Sequence, residues 1–466
     1  MANAAPSPGT ADSADGLPAE TRRWAIIAIA IAVGMATLDT AIANTALPAI
    51  AVDLHASPAA SVWIVNAYQL AMVATLLPLA ALGEIVGYRR VYLGGLALFT
   101  LASLACAMSS SLPTLAGARV LQGLGASAIM SVNTALLRFI YPSRLLGRGL
   151  GFNSLIVAVA FAVGPTVASV ILSVSTWPAL FAVNVPLGLM AFFLAYRALP
   201  ETTRASHGFD IWVALFNVGA FGMLILALGE ATHRAGFAKV VPELAAALIF
   251  GALLLRRQAG HPAPMLPVDL FRRPMFALST LTAICSFAAQ GLAFVSLPFY
   301  FETVLGRSQV ETGFLMTPWP VVVAMMGPIA GRLSDRYSAG VLGGIGMATL
   351  CVGMTLLALL PQHPSVFNIG WRMAVCGAGF GFFQAPNLKA IMGSAPASRS
   401  GGASGMVATA RLLGQTTGAA LVALCFTISS SHGAALALAV GAVFAGSASV
   451  ASFSRLFAIT PPFATP

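Results

Sequence analysis

A chain of 466 residues, of which 58% are apolar and 8% charged, with a mean hydropathy of +0.88, has too much apolar surface to bury inside a water-soluble domain. The sequence therefore predicts an integral membrane protein and excludes large soluble domains. The net charge of +10 is explained by basic loops on one side of a membrane, so nucleic acid is not expected as a partner.

Charged or Pro/Gly-rich breaks divide the sequence into apolar segments, most of them long enough to cross a bilayer. The segment 1–21 is expected to form a disordered cytoplasmic tail, because its composition cannot offset the entropy of ordering. An all-α integral membrane protein with fourteen transmembrane helices is predicted. The predicted spans are 24–50, 61–83, 91–109, 114–137, 149–172, 179–198, 210–229, 241–255, 275–301, 311–331, 340–360, 367–391, 402–428 and 434–453.

The basic residues indicate the orientation of these spans. With the N-terminus inside, seventeen of the 24 basic residues fall in cytoplasmic segments and three in outer ones. Cytoplasmic loops carry an excess of Lys and Arg, so this asymmetry supports the alternation. We expect a multi-pass protein of the plasma (inner) membrane with both termini in the cytoplasm.

The sequence repeats itself, with matching stretches in its two halves. Ala46-Leu47-Pro48 matches Ser296-Leu297-Pro298, and Gly117-Ala118-Arg119 matches Gly370-Trp371-Arg372. Such parallel repeats are typical of transporters whose binding site lies between two halves. We predict two six-helix bundles related by a pseudo-twofold axis, with two inserted helices between them. The predicted divisions are a tail 1–21, an N-terminal bundle 22–200, inserted helices 201–260, a C-terminal bundle 261–457 and a tail 458–466.

Asp39 is the most informative single residue. It follows Trp24 by about 22 Å along a helix, and an Asp in mid-membrane costs roughly 2.5–3.5 kcal/mol on insertion scales. Burial disfavours the charged carboxylate, so Asp39 is a candidate for binding and releasing a proton. The alternative is a structural role, as an ion pair or as a cap for a helix break near Pro48.

Arg119 is the matching cation. Span 4 runs inward from the outer side, which places Arg119 at a depth close to that of Asp39. We predict that the two residues form the proton-coupling pair. The alternative is that Arg119 binds backbone carbonyl groups of a neighbouring helix.

Two loops repeat an acidic residue followed by arginine. Glu84 precedes Arg89 and Arg90 after span 2, and Asp335 precedes Arg336 after span 10. An acid here can cap a neighbouring helix and pair with basic loops of the other half. We predict a conformational latch; the alternative is that these arginines serve only the orientation of the spans.

Polar and aromatic residues on the spans are candidates for a substrate cavity, although packing or lipid contact is the alternative for each. The candidates are Asn44, Trp63, Asn66, Tyr68, Gln69, Gln290, Phe294, Met316, Trp319, Gln384, Asn387 and Arg411.

Several kinds of chemistry lack a signature. The five cysteines have no ligand spacing, no His-Glu-x-x-His occurs, and no Gly-x4-Gly-Lys-Ser/Thr is present. The sequence therefore predicts no metal, no catalytic site and no ATP-driven pump.

Several stretches resemble one family. Residues 38–48 (LDTAIANTALP) resemble the span 1 signature of the fourteen-span drug:proton antiporters of the major facilitator superfamily, residues 80–90 its motif A, and residues 119–125 (RVLQGLG) its motif B. Gly164 and Pro165 resemble the antiporter motif of span 5. Residues 181–188 and 264–271 are also similar to that family.

The resemblance implies the major facilitator fold and roles for named residues. It associates Arg119 with proton coupling and Glu84 with the latch. The chain departs from the pattern with Ala80 for Gly and Glu84 for Asp in motif A. Ala168-Ser169 also replaces the usual Gly-Gly after Gly164-Pro165, which weakens the argument for antiport against symport.

We therefore expect a secondary transporter that exports amphipathic or drug-like small molecules in exchange for protons by alternating access. It would act as a monomer, with the proton gradient as its driving force and no cofactor. One alternative is a proton-coupled importer of a small organic solute, and a more distant one is a membrane enzyme or receptor. Asp39 is the one deep acid among several deep basic residues, so selectivity for lipophilic cations is not supported.

Overall fold

A computed structural model of the chain describes residues 16–142, 145–202, 209–230, 237–258, 268–361, 363–396, 400–429 and 432–457. These residues form helices and short connections. The helices are α1 Ala19–Asp53, α2 Pro58–Ser61, α3 Trp63–Val86, α4 Tyr88–Ala107, α5 Leu112–Ile140, α6 Leu146–Val174, α7 Pro178–Ala182, α8 Asn184–Ala198, α9 Ile211–Glu230, α10 Phe237–Gln258, α11 Pro274–Phe299, α12 Gln309–Met316, α13 Pro318–Leu333, α14 Ala339–Ala358, α15 Val366–Ser394, α16 Ser400–Ile428 and α17 Gly433–Ser454. Short helical turns cover Val268–Arg272, Tyr300–Val304 and Arg455–Phe457.

Twelve helical stretches in the described residues are long and apolar enough to cross a membrane. The pairs α2–α3, α7–α8 and α12–α13 each count as one stretch, because a single residue separates the second helix from the first. The all-helical prediction is confirmed, but the count of fourteen spans is not supported.

The difference lies in the two inserted helices. Both exist, but the described apolar part of α9 is the shorter segment Ile211–Leu224, and α10 is not among the twelve stretches. Helix α10 carries Glu243 near its start and Arg256 and Arg257 in its last turn. These charges limit its uninterrupted apolar run to residues 244–255, so α10 spans a membrane only with Glu243 and the two arginines near the membrane surfaces.

The first helix begins earlier than the sequence predicts. Helix α1 starts at Ala19, inside the segment expected to be a disordered tail, and the Leu17 N–H donates to the Ile140 carbonyl at 3.1 Å. Pro18 before the first turn and Glu20 within it both favour a helix start. The rest of that predicted tail, 1–15, and the tail 458–466 lie outside the described residues.

The two halves of the repeat begin with long helices of similar design. Helix α1 contains Pro48 and α11 contains Pro298, at equivalent positions of the repeat. A proline removes one backbone hydrogen bond, so each helix has a weak point near the end opposite its start. We call the end of the bundle at Ala19 and Ser454 the terminal end, and the opposite end the far end.

The buried apolar residues fall into three clusters. One is formed by residues between Leu270 and Ala448, and a second is formed almost wholly by residues between Ala25 and Leu199. The third combines α1 and α3 with α11, α16 and α17, so the two ends of the sequence meet along these helices. The divisions at 22–200, 201–260 and 261–457 remain a prediction.

Candidate functional site

Asp39 lies at the centre of a buried polar cluster. Its Oδ2 accepts a hydrogen bond from Arg119 Nη1, and its Oδ1 accepts from Gln122 Nε2 and from Asn184 Nδ2, both at 2.8 Å. All four residues are buried. The predicted coincidence in depth of Asp39 and Arg119 is confirmed, because the two form an ion pair.

The Arg119 guanidinium is fixed on several sides. Its Nε donates to the Ile64 carbonyl at 3.1 Å and its Nη1 also donates to Gln122 Oε1 at 2.6 Å. Its carbon Cζ lies 4.2 Å from the centroid of the Tyr68 ring, a cation–π contact. Arginine keeps its proton in proteins, so this cluster always holds one positive charge beside the carboxyl group.

Small residues bring the helices of this cluster together. A Cβ at Gly123 would lie 2.3 Å from the Tyr68 carbonyl oxygen, and one at Gly164 would lie 2.3 Å from Ala41 Cβ. Helix α5 therefore contacts α3, and α6 contacts α1, at distances that only glycine permits. The Gly164 of the antiporter motif thus lies against the helix turn that follows Asp39.

Two residues of the cluster were not among the sequence candidates. Gln122 follows Arg119 by three positions, so the two share a face of α5, and this spacing is a signal that sequence reasoning can use. Asn184 comes from α8, in the stretch 181–188 that resembles the family. Its contact with α1 has no local sequence signal.

A small chamber lies beside this cluster, between the two halves. Its volume is about 10 Å³, roughly the space that one water molecule needs. Asn44 Oδ1 and Gln69 Oε1 are buried without a hydrogen-bond partner, whereas Gln415 Nε2 donates to Gln290 Oε1 at 3.1 Å. The chamber is lined by Thr40, Asn44, Gln69, Phe161, Gln290, Gly291, Phe294, Val295 and Gln415.

Aromatic rings line and support one side of the chamber. The Phe294 ring centroid lies 5.1 Å from that of Phe161 and 5.3 Å from that of Trp319, in tilted and edge-to-face arrangements. The chamber therefore combines amide groups with an aromatic wall. This mixture suits a ligand with a planar apolar body and polar edges.

The sequence candidates for the cavity separate into three groups. Those that line the chamber are Asn44, Gln69, Gln290 and Phe294. Those buried next to it or in the surrounding core are Asn66, Tyr68, Met316 and Trp319. Those elsewhere are the half-buried Trp63 at the far end of α3, the exposed Gln384, Asn387 beside Arg455, and Arg411, one turn from Gln415. Thr40, Phe161 and Gln415 line the chamber although the sequence did not single them out.

The antiporter motif continues into contacts between the two halves. The single proton of Ser169 Oγ is shared between two carbonyl oxygens, that of Pro165 at 2.9 Å and that of Gln309 at 3.0 Å. Thr166 and Thr317 share a hydrogen bond of 2.8 Å. Ser169 occupies one of the two positions at which this chain departs from the family's Gly-Gly. The departure therefore adds a hydrogen bond between the halves near the far end.

Two of the residues predicted to form a latch, Arg89 and Asp335, form ion pairs at the ends of nearby helices. Arg89 Nη1 lies 2.5 Å from Glu201 Oε1, and Asp335 Oδ1 lies 2.6 Å from Lys389 Nζ. Neither pair joins the N-terminal half to the C-terminal half. The latch hypothesis expects contacts between the halves. Glu84 is exposed in the last turn of α3, and Arg90 and Arg336 are exposed.

A larger cavity opens at the far end. Its volume is about 590 Å³, and its lining includes Asp53, Trp177, Glu302 and Arg307. The Trp177 Nε1–H donates to Asp53 Oδ2 at 2.6 Å, and Arg307 Nη2 donates to the Pro364 carbonyl at 2.9 Å. This cavity lies between the ends of α1 and α6 and the start of α12.

Comparison with known proteins agrees with these features. The profile of the Major Facilitator Superfamily matches residues 29–419. The chain is 53% identical over 445 residues to a protein of Escherichia coli K12 named Uncharacterized transporter YebQ, covering 95% of this chain and 97% of that one. It is 29% identical to the Riboflavin transporter RibZ of Clostridioides difficile, covering 88% and 90%, and 30% identical to the Multidrug resistance protein Stp of Mycobacterium tuberculosis, covering 86% and 75%.

A solved structure has the same fold. The chain superposes on the inward-facing, unoccupied form of a bacterial homolog of the human lysosomal transporter Spinster with a TM-score of 0.70, covering 96% of this chain and 100% of that one. The sequence identity is 14%, so the likeness concerns the fold alone. Family and relatives together identify a multi-pass membrane transporter of small molecules rather than an enzyme.

Proposed function

We propose that this chain, which belongs to the Major Facilitator Superfamily, exports amphipathic or drug-like small molecules across the plasma membrane in exchange for protons. The observation that carries the proposal is the buried ion pair of Asp39 and Arg119 beside the chamber between the halves. A buried acid of this kind is costly in a membrane and marks a proton or substrate pathway.

Asp39 is the proposed proton carrier. In the present arrangement its two oxygen atoms accept three hydrogen bonds, all suited to the carboxylate form. A proton can replace these contacts only if Arg119 or its neighbours withdraw. The helices that hold the pair, α1 and α5, therefore have to move relative to each other during the cycle, and that motion would couple proton binding to alternating access.

The chamber is the proposed substrate site. Its present volume of about 10 Å³ excludes any drug-sized molecule, so this state is closed at the centre. The unpartnered oxygens of Asn44 and Gln69 would accept hydrogen bonds from a substrate once the halves separate. The relatives described above include a riboflavin transporter and a multidrug resistance protein, and both suit a planar or amphipathic cargo.

Transport by purified protein in proteoliposomes tests this proposal. A compound to which expression confers resistance in a pump-deficient host is added, and both its uptake into the proteoliposomes and the lumenal pH are recorded. We expect uphill transport that requires a pH gradient and is lost in Asp39→Asn, while Asp210→Asn, which removes an exposed carboxylate, behaves as wild type. Uphill transport that persists in Asp39→Asn would refute the assignment of the proton carrier.

We also propose that the protein is a monomer, that both termini are cytoplasmic and that α9 and α10 add two further spans. The two helices pack against each other through Phe216 and Phe250, and Asn217 Nδ2 donates to the Ala74 carbonyl of α3 at 2.9 Å. Reporters fused after Arg204 and after Arg399, both outside the described residues, should report cytoplasm, and one within 430–433 should report the exterior. A cytoplasmic signal from the last site would contradict this topology.

The latch remains part of the proposal for Glu84, Arg89, Arg90, Asp335 and Arg336. If these residues bind differently in the inward-open and outward-open forms, Glu84→Gln shifts the balance between the forms while the protein still inserts. Cysteine accessibility at both ends of the bundle measures that balance. Labelling that is unchanged in the variant would remove the latch role.

A further inference from the structure

We propose that the chamber recognises an organic anion, an aromatic or amphipathic carboxylate, through Arg411. This inference rests on the proposed function only in taking the chamber as the transport site. Arg411 lies about 16 Å along α16 from Ser400, and therefore deep in the membrane. It lies near the buried Tyr68 of the opposite half.

The position of Arg411 on its helix places it on the face that contacts the N-terminal half. Ala408, Arg411, Leu412 and Gln415 follow the three- and four-residue spacing of one helix face. Ala408 and Leu412 pack into the apolar cluster of the N-terminal half, and Gln415 lines the chamber. Arg411 thus lies at the interface of the halves, one turn from the chamber on its terminal-end side.

The other deep or buried basic residues of the spans have partners. Arg119 pairs with Asp39, and Arg372 Nη1 donates to the carbonyls of Leu356 and Leu359. Arg455 donates to Ser279, Asn387 and Ser452, and Lys389 pairs with Asp335. Arg411 differs from all of them: within the part of the chain that the structure describes, it makes no hydrogen bond and no ion pair.

Arg411 is half-buried, and none of its nitrogen atoms is both sealed from solvent and unpartnered. Arginine stays protonated, so this accessible positive charge favours an anionic ligand. Asp39 is not available in this state, because Arg119, Gln122 and Asn184 occupy it. A carboxylate that enters the chamber would form the charge-assisted, two-point contact that arginine makes best, and its aromatic body would contact Phe161 and Phe294.

The charge of the cargo has a consequence for transport. When one monovalent anion leaves and one proton enters, the cell interior gains two units of positive charge. The interior-negative membrane potential therefore drives both movements. Exchange of a monovalent cation for one proton, in contrast, moves no net charge.

Ligand binding to the purified full-length protein tests the inference. The probes are benzoate, 2-naphthoate and 9-anthracenecarboxylate, each with its carboxamide and its aminomethyl counterpart, titrated calorimetrically at pH 7. We expect at least one carboxylate to bind about tenfold more tightly than its carboxamide. Arg411→Gln should abolish this preference, Arg411→Lys should retain part of it, and the control Arg256→Gln, at the exposed end of α10, should leave it unchanged.

The wild-type comparison is decisive even if a variant misfolds. Absence of any carboxylate preference overturns the inference, as does a preference that survives in a folded Arg411→Gln protein. If Arg411→Gln loses proton coupling while the wild type shows no anion preference, Arg411 serves Asp39 in another state and the inference fails. Anion preference without proton exchange would instead leave the inference standing and contradict the proposed antiport.

Discussion

The two halves treat equivalent arginines differently. Arg119 in the N-terminal half forms a buried ion pair with Asp39, whereas Arg372, its counterpart in the repeat, donates to the Leu356 and Leu359 carbonyls at the end of α14. The counterpart of Asp39 in the C-terminal half is the buried Ala289. The repeat therefore keeps the basic residue and changes its partner. This difference teaches that a shared architecture does not imply shared chemistry, and it locates the proposed proton binding in one half.

Removal of the two arginines should give the largest contrast. Arg119→Ala leaves the Asp39 carboxylate buried without its counter-charge, and we expect a loss of about 3–5 kcal/mol in the free energy of unfolding. Arg372→Ala removes a cation from a helix C-terminus and should cost about 1 kcal/mol or less. Thermal unfolding of both variants in the same detergent measures the difference. Equal losses of stability in the two variants would show that Arg119, like Arg372, serves only to bind backbone carbonyl groups.

The neutral donors of the cluster should give an intermediate effect. Asn184→Ala removes one hydrogen bond to a charged group, so we expect a loss of about 1.5–3 kcal/mol. The same substitution in an Asp39→Asn background should cost less, because the charge that strengthens the bond is gone. Unfolding measurements on the four proteins of this cycle give the coupling energy. A coupling near zero would mean that Asn184 contributes packing alone.

The hydrogen bond that Ser169 adds between the halves should have a smaller effect. Ser169→Ala removes the 3.0 Å bond to the Gln309 carbonyl, a change of about 0.5–1.5 kcal/mol. Because this bond joins the halves near the far end, its loss should open that end more often, by about threefold to tenfold. Cysteine labelling at the far end measures the change, and Ser173→Ala, whose hydroxyl bonds within its own helix, is the matched control.

The inserted helices should give the smallest and most pH-dependent effect. A hydrogen bond from Arg257 lowers the pKa of Asp210, whose Oδ1 also accepts from the backbone of Val213 and Trp212. A carboxyl group whose pKa is lower in the folded state stabilises the fold above its unfolded pKa of about 3.9, and this stability is lost as the pH falls through the folded value. Both side chains are substantially exposed, so the contribution should stay below about 1 kcal/mol.

Thermal unfolding of wild type and Asp210→Asn at pH 6 and at pH 3 isolates this contribution. The two proteins should differ slightly at pH 6 and converge at pH 3. A difference that grows on acidification has the opposite sign and would exclude the ion pair as its source.

The sequence predicts the parts of the site that depend on helix geometry alone. The constant rise per residue of an α-helix places Asp39 and Arg119 at one depth, and the structure joins them. Gln122 follows from its spacing to Arg119. Asn184 and Phe161 reach the site because helices distant in sequence pack together. The local sequence pattern does not predict how those helices are rotated about their axes. The partners of Arg89 and Asp335, which are Glu201 and Lys389, depend in the same way on how helix ends and loops meet.

The central claim is that Asp39 carries the exchanged proton. Its most direct test is a count of protons released when a transported compound binds to purified protein in weakly buffered detergent solution containing a pH indicator. The account predicts about one proton per wild-type molecule, and no release from Asp39→Asn that still binds the compound. Full release from Asp39→Asn would contradict the claim and direct attention to Glu302, in the far-end cavity, as the carrier.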